Sequence, residues 1–401
     1  MNCNKLLFYN PTCEMAVVNG HPSYTPPARL KKFEEDLESI MIWLGASEDV
    51  LLTRNRLSTD FVSWLSDFGF EVPKCMDVDS LQETIFAKEL HPWGWSPAIH
   101  KFFSTLEIQL QDSWKSNPMN HWKSEYKRLL SRLTGVELIK EAVVIIEKER
   151  FSNVLIPHVP VMMDSPEYIN HIEKTSTLPL LLKTPWSASG RGLFKIRDKN
   201  EQAWKNPWIL GKLKQQGFLL GEPFLHKLQD VSFHFWCDSK GVHSLGTTYF
   251  STDKAGRFLG CYTHLPKDSS IPESLMKEGE KEAESVLLTA LQKMKINTKY
   301  RGPIGVDGLF FLSANGKILL NPCIEVNMRY SMGLINLKIR ERLAPGRTGK
   351  WQIGYLKARE WDDLAGCFSA KSMHGMITGD ILPLSASPKN EGYMAWFEVF
   401  N

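Results

Sequence analysis

Two apolar runs, Val306–Leu312 and Lys317–Val326, flank the dipeptide Asn315-Gly316. Asn-Gly between apolar runs is a strong short-range hairpin signal. A fold at that point sets Val306 and Asp307 opposite Glu325 and Ile324, so two carboxylates meet at the open end of the hairpin. Asn327 and Arg329 follow at steps of two, which keeps them on the face of Glu325. Two carboxylates and an amide oxygen are hard ligands of the kind Mg²⁺ takes. Like charges packed this closely repel unless a cation sits between them. Arg329 has the fork of donors that suits a carboxylate or phosphate. A plain exposed hairpin leaves unexplained why polar residues at 325, 327 and 329 close an otherwise apolar strand.

A second segment runs Leu180-Leu181-Leu182-Lys183, then Thr184-Pro185-Trp186, then Ser187-Ala188-Ser189-Gly190-Arg191-Gly192. An apolar strand ends in a lysine, and a loop of small residues precedes a second strand, Leu193–Ile196. Small residues let backbone N–H groups turn toward an anion, and Ser187 and Ser189 add hydroxyl donors. Lys183 supplies a point charge for a phosphate. The spacing is neither that of a P-loop, because the lysine precedes the glycines, nor G-x-G-x-x-G. Taken alone, an ordinary Gly-Ser hairpin turn is an equal account of this segment.

A third segment, Phe218–Leu225, carries Glu222 at a strand end, and Asp230 follows eight positions later at the start of Val231–Cys237. Two such acids can face the amino group of a base and the hydroxyls of a ribose, with the backbone at Phe224 or Leu225 completing the base contact. In isolation, surface acids at a strand end explain the segment better.

The elements that position these groups follow from periodicity. Lys5–Tyr9 and Val50–Thr53 read as strands, and Ala28–Leu44 and Asp60–Phe68 as amphipathic helices. Alternating strand and helix predicts an open parallel sheet. Glu14–Pro27, rich in Gly, Pro, Asn, His and Ser, reads as a loop. Long helical stretches are expected over Ile99–Leu133, broken near Asn117-Pro118, and over Gly135–Glu149. From Leu178 onward short strands alternate with loops, interrupted by helices near Asn200–Gln216 and Pro272–Met294, an α+β texture. The tail after Asn336 carries weak patterns. Trp93–Trp122 reads as packing, since few basic residues interleave with it.

The 401 residues suggest two or three packed units. Hydrophobic residues at 43% and charged residues at 23% are those of a globular protein, and a net charge of +3 implies no polyelectrolyte partner. Seven scattered cysteines without CxxC spacing fit a reducing compartment. The opening apolar run is short for a signal peptide and none is long enough for a bilayer, so the expected location is cytoplasmic. His226, His234, His243 and His264 fit no compact zinc site; His234, on the strand that begins beside Asp230, is the strongest exception.

The three segments, in this order, resemble the ATP-grasp superfamily over roughly Asp164–Gly333. The resemblance makes Lys183 the phosphate-binding lysine and Ser187, Ser189, Gly190, Arg191 and Gly192 the glycine-rich loop. It makes Glu222 the hinge acid near adenine, with Phe224 and Leu225 beside it, and Asp230 the ribose acid. Asp307, Glu325 and Asn327 match the D…E-x-N metal signature, and Arg329 extends it to E-x-N-x-R. The family commonly adds a second phosphate-binding cation upstream, for which Lys148 and Arg150 are candidates. The implied fold is α/β and α+β: an ATP-grasp fold behind an N-terminal open α/β domain of the kind that precedes it. The expected division is 1–150, 151–225 and 226–401. The implied activity is that of a ligase using ATP and Mg²⁺ (Mn²⁺ as an alternative). It would activate a small-molecule carboxylate as an acyl phosphate for attack by an amine or thiol, with Arg329 and Lys183 catalytic. The implied partners are these small molecules, not nucleic acid or membrane, and the resemblance allows a homodimer. A kinase acting on a non-carboxylate acceptor would use the same ATP site. A non-catalytic nucleotide-binding module would have little physical reason to crowd Asp307 and Glu325.

Overall fold

The computed structural model describes residues 1–187, 190, 192–253, 256–264, 269–366, 372–373, 376–387 and 390–400. The N-terminal strands are β1 (Asn2–Phe8), β2 (Val50–Thr53), β3 (Lys74–Asp77), β4 (Ile85–Pro92) and β5 (Ile108–Leu110). They form one sheet in the order β3-β2-β1-β4-β5, and every pairing is parallel. Leu6 and Leu7 are both fully buried, so β1 is covered on both faces, as a central parallel strand must be. The chain winds outward through β2 and β3 and then returns to the other side of β1. The strand order thus reverses between β1 and β4, and in open parallel sheets the crevice beyond the carboxyl ends at such a point is where ligands bind.

Two antiparallel sheets follow. The smaller has β6 (Val161–Met163), β7 (Leu180–Lys183), β8 (Leu193–Ile196) and β9 (Leu219–Pro223), in the order β6-β9-β7-β8. The larger begins with β10 (His226–Cys237), β11 (Val242–Thr252), β12 (Phe258–Tyr262), β13 (Gly302–Leu312), β14 (Ile318–Asn327) and β15 (Thr348–Leu356). After a ribbon of β16 (Ser372–Met373) and β17 (Met376–Ile377), it ends with β18 (Ile381–Pro383) and β19 (Gly392–Phe400). Its order is β14-β13-β10-β11-β12-β15-β19-β18. Helices Arg132–Glu149 and Glu273–Lys293 pack on β14 and on each other. No helix among the described residues is long and apolar enough to cross a membrane.

Two expectations change, and the weakly patterned tail gains an assignment. Glu14–Pro27 is not all loop, because a helix spans Cys13–Asn19. Cys13, Ala16 and Val17 are buried at helical spacing, and Gly20 ends the helix with φ of 74°. The Gly- and Pro-rich composition belongs to the residues after it. Ile99–Leu133 is not a long helix. A helix capped by Ser96 stops at Ser104, and Ile108–Leu110 pairs with β4 instead. An available sheet edge outweighs helical periodicity there, and only Arg132–Glu149 runs long. The tail after Asn336 is part of the fold: β15, β19 and β18 complete the larger sheet. Trp351, Phe397 and Leu384 share a core with Leu7, Leu51 and Trp43 of the N-terminal sheet. Trp43 Nε1 donates to the Leu384 carbonyl at 2.8 Å, and the Ala386 N–H to Ser39 Oγ at 2.8 Å.

Trp351 is fully buried in that shared core. Trp351→Ala should therefore destabilise the protein by about 3–5 kcal/mol, read as a lower denaturation midpoint. A midpoint equal to wild type would show the tail to be peripheral.

Candidate functional site

The hairpin forms, with a type I turn closed by Gly316 N–H to the Ser313 carbonyl at 2.9 Å and Gly316 at φ of 78°. Its register differs by one from the simple expectation. Asp307 pairs with Glu325, and Val306 pairs with Val326, not with Glu325. The cause is a shift of register between Asp307 and Leu309. Gly308 permits it, since a Cβ there would lie 2.7 Å from the Asn321 carbonyl oxygen.

Burial and the neighbouring Glu325 charge push Asp307 up to about 7, and Asp230 adds to the push. Asn327 Nδ2 donates to Asp307 Oδ2 at 3.1 Å, and Arg329 Nη2 donates to Asn327 Oδ1 at 3.1 Å. Two crowded carboxylates fit a hard divalent cation, whereas the Asn327 amide turns its nitrogen to Asp307 and its oxygen to Arg329 and would have to flip to ligate one. Among the described residues no three His, Cys, Asp or Glu side chains gather as a self-sufficient metal cage.

Lys183 ends β7, buried, with Nζ 2.6 Å from Glu222 Oε1 and donating to the Ile324 carbonyl at 2.8 Å. One ammonium thereby ties the smaller sheet to the hairpin. Thr184 N–H donates to the Gly192 carbonyl at 2.8 Å, which closes the loop. Gly192 admits no side chain, for a Cβ would sit 2.1 Å from Thr184 Oγ1. Gly190 has φ of 72°. Ser189 and Arg191 lie outside the described residues. Phe224 N–H donates to the Pro179 carbonyl at 2.9 Å, which leaves its carbonyl and the backbone of Leu225 as candidates for a base contact. Lys195 Nζ lies 3.3 Å from the centre of the Phe224 ring. Asp230 Oδ2 accepts from Lys227 Nζ at 2.6 Å and Thr252 Oγ1 at 3.1 Å, and burial raises its pKa.

The cation upstream of the loop is a correction. Lys148 and Arg150 are exposed at the far end of Arg132–Glu149, about 24 Å along the helix from its start. Arg132, at the first turn, is the cation that reaches the loop and the hairpin. Its Nη1 donates to the Thr184 carbonyl at 2.5 Å and to Ser187 Oγ at 2.8 Å, and its Nη2 to Glu325 Oε1 at 2.9 Å. The sequence did hold a signal. Ser131 caps this helix, and a helix N-terminus, not its C-terminus, is where anions are favoured.

The second residue missed is Glu14, which forms an ion pair with Arg329. Arg132, Ser187, Glu325, Asn327 and Arg329 line one narrow cleft together with Cys13, Glu14, Gly94 and Trp95. His234 is no ligand. It is fully buried, its Nε2 lies 2.8 Å from Thr248 Oγ1, and burial lowers its pKa to about 3. Trp93, Trp95 and Trp114 are core residues.

Asp307→Asn removes the repulsion with Glu325 while keeping the shape. The nucleotide-free variant should melt at or above the wild-type temperature at pH 8, and the rise produced by ATP with Mg²⁺ should be lost. An undiminished rise would take Asp307 out of the metal site.

No family model matches the sequence, and no curated protein does. Solved structures do. The ADP complex of an N5-carboxyaminoimidazole ribonucleotide synthetase is similar over 100% of this chain and 93% of its own, at 11% identity and a TM-score of 0.52. A Rhizobium etli pyruvate carboxylase, solved with the allosteric activator acetyl coenzyme A, is similar over 100% of this chain and 36% of its own, at 12% identity and a TM-score of 0.52. Such identities speak to the fold alone. In its sheets, their order and these likenesses, the chain has the ATP-grasp fold behind an open parallel α/β domain.

Proposed function

We propose that the protein uses ATP to activate a small-molecule carboxylate as an acyl phosphate, which an amine then captures to form a carbon–nitrogen bond. The observation that carries this reading is the convergence of Arg132, Lys183 and Arg329 on the Asp307–Glu325 hairpin mouth, within an ATP-grasp fold. The division into lobes at about 150 and 225 belongs to the same proposal. So do a cytoplasmic setting and small molecules as the only partners apart from a second copy of the chain.

A carboxylate oxygen attacks the γ-phosphorus, the bond from that phosphorus to the β–γ bridging oxygen breaks, and ADP leaves with the electron pair. The amine nitrogen then attacks the acyl carbon, phosphate departs with the carbon–oxygen bond pair, and the nitrogen gives up a proton. Such transfers need positioning and charge neutralisation more than covalent help. Lys183 and Arg132 neutralise the phosphate chain, and Arg329 holds the carboxylate. Glu222 and the backbone at Phe224 or Leu225 face the base and Asp230 the ribose. The loop 187–192 shields the acyl phosphate from water. Asp307, Glu325 and Asn327 would hold Mg²⁺, which would supply charge stabilisation for the phosphoryl transfer. The nucleotide takes over cations that in its absence are held by Glu222, Glu325 and backbone carbonyls.

Lys183→Ala and Glu325→Gln should each lower ADP release by about 10²-fold or more while the fold persists. Near-normal release in either variant removes that residue from the mechanism. With hydroxylamine as the amine, turnover should yield a hydroxamate. ADP release without hydroxamate would mean that the phosphoryl acceptor is not a carboxylate.

A further inference from the structure

The cleft continues past the hairpin to the carboxyl ends of β1 and β4, where the N-terminal sheet reverses its strand order. Asn10, just after β1, and Gly94, just after β4, exchange two hydrogen bonds of 2.7 and 3.2 Å. Tyr330 N–H donates to the Trp93 carbonyl at 2.9 Å, which fastens the extension of β14 to the same place. Gly94 makes this approach possible, because a Cβ there would lie 2.3 Å from Cys13 Sγ and 3.3 Å from Arg329 Cβ. The helix Cys13–Asn19 starts at this junction. Its first turn presents Glu14 to Arg329, and both side chains are mostly buried, at 14% and 18% exposed.

Among the described residues Glu14 has no strong partner other than that guanidinium; Cys13 Sγ adds a weak contact at 3.3 Å. When a substrate carboxylate takes its place on Arg329, a second anion enters beside Glu14. Two anions sharing one half-buried cation are costly unless the ligand itself brings a positive charge. Val17, Trp95 and Leu130 line the same cleft and give it an apolar wall.

We infer that the carboxylate activated here belongs to an α-amino acid, with its carboxylate on Arg329 and its ammonium on Glu14 at the strand-order reversal of the N-terminal sheet. This inference rests on the ATP-dependent reading above. Glu14 thereby selects the substrate by answering a charge that a simple carboxylic acid lacks, and rejection of the simple acid comes from an unpaired buried anion.

The test pairs each of a set of L- and D-amino acids with the acid that lacks only its amino group, such as alanine with propionate. ADP release is followed with hydroxylamine as the capturing amine. The wild type should favour the amino member of at least one pair by about tenfold or more in kcat/KM. Glu14→Gln should bring that ratio near one, through a higher KM for the amino acid, and Glu14→Asp should keep much of the preference. A wild type that uses the simple acid as well as the amino acid overturns the inference. So does a Glu14→Gln variant that slows both members equally, for then Glu14 only positions Arg329. A wild type that neither gains stability from ATP with Mg²⁺ nor releases ADP with any compound overturns the ATP-dependent reading, and this inference with it.

Discussion

Two carboxylates, Asp307 and Glu325, are paired across adjacent antiparallel strands, and their mutual repulsion has to be answered from elsewhere in the chain. Three cations from distant parts of the sequence converge here. Arg132 arrives from a helix start and bonds Glu325, Lys183 arrives from a strand end of the smaller sheet and bonds the Ile324 carbonyl, and Arg329 reaches back through Asn327. A site that concentrates negative charge and surrounds it with positive groups is prepared for a ligand that carries both signs. A nucleotide triphosphate with a divalent ion is such a ligand.

The same contacts explain why the three sheets act on one cleft. Lys183 joins the smaller sheet to the larger through one ammonium. Arg329 joins the larger sheet to the N-terminal domain through Glu14, and the main-chain bond from Tyr330 to Trp93 fixes that contact in place. On the opposite side, the tail packs Trp351 and Phe397 into the core shared with Leu7 and Leu51. The N-terminal domain is thus held at both ends, by a polar junction at the site and by an apolar one away from it.

Local signals were readable in proportion to how local their physics is. The hairpin turn at Asn315-Gly316, the strands on either side and the helix over Gly135–Glu149 were legible because turn chemistry and periodicity act within a few residues. The helix after Cys13 was hidden by the composition of the longer stretch around it. The Ile99–Leu133 region kept helical periodicity yet lost a segment to the edge of β4. The tail looked weakly patterned because its strands bury alternate faces against partners far away in sequence. Of the site, the acids, Lys183 and the loop stood in recognisable order; Arg132 was marked only by its place after the helix cap Ser131, and Glu14 by no pattern that set it apart from other charged residues.

The sequence by itself determined the hairpin, the lysine before a run of small residues, and the polar steps 325, 327 and 329, since each depends on neighbours along the chain. Only the tertiary structure decided the register of Asp307 against Glu325, which one bulge at Gly308 shifts by a residue. It also decided which cations complete the site. Arg132 and Glu325 lie 193 positions apart and Arg329 and Glu14 315 apart, and charge complementarity over such separations is set by packing, not by spacing.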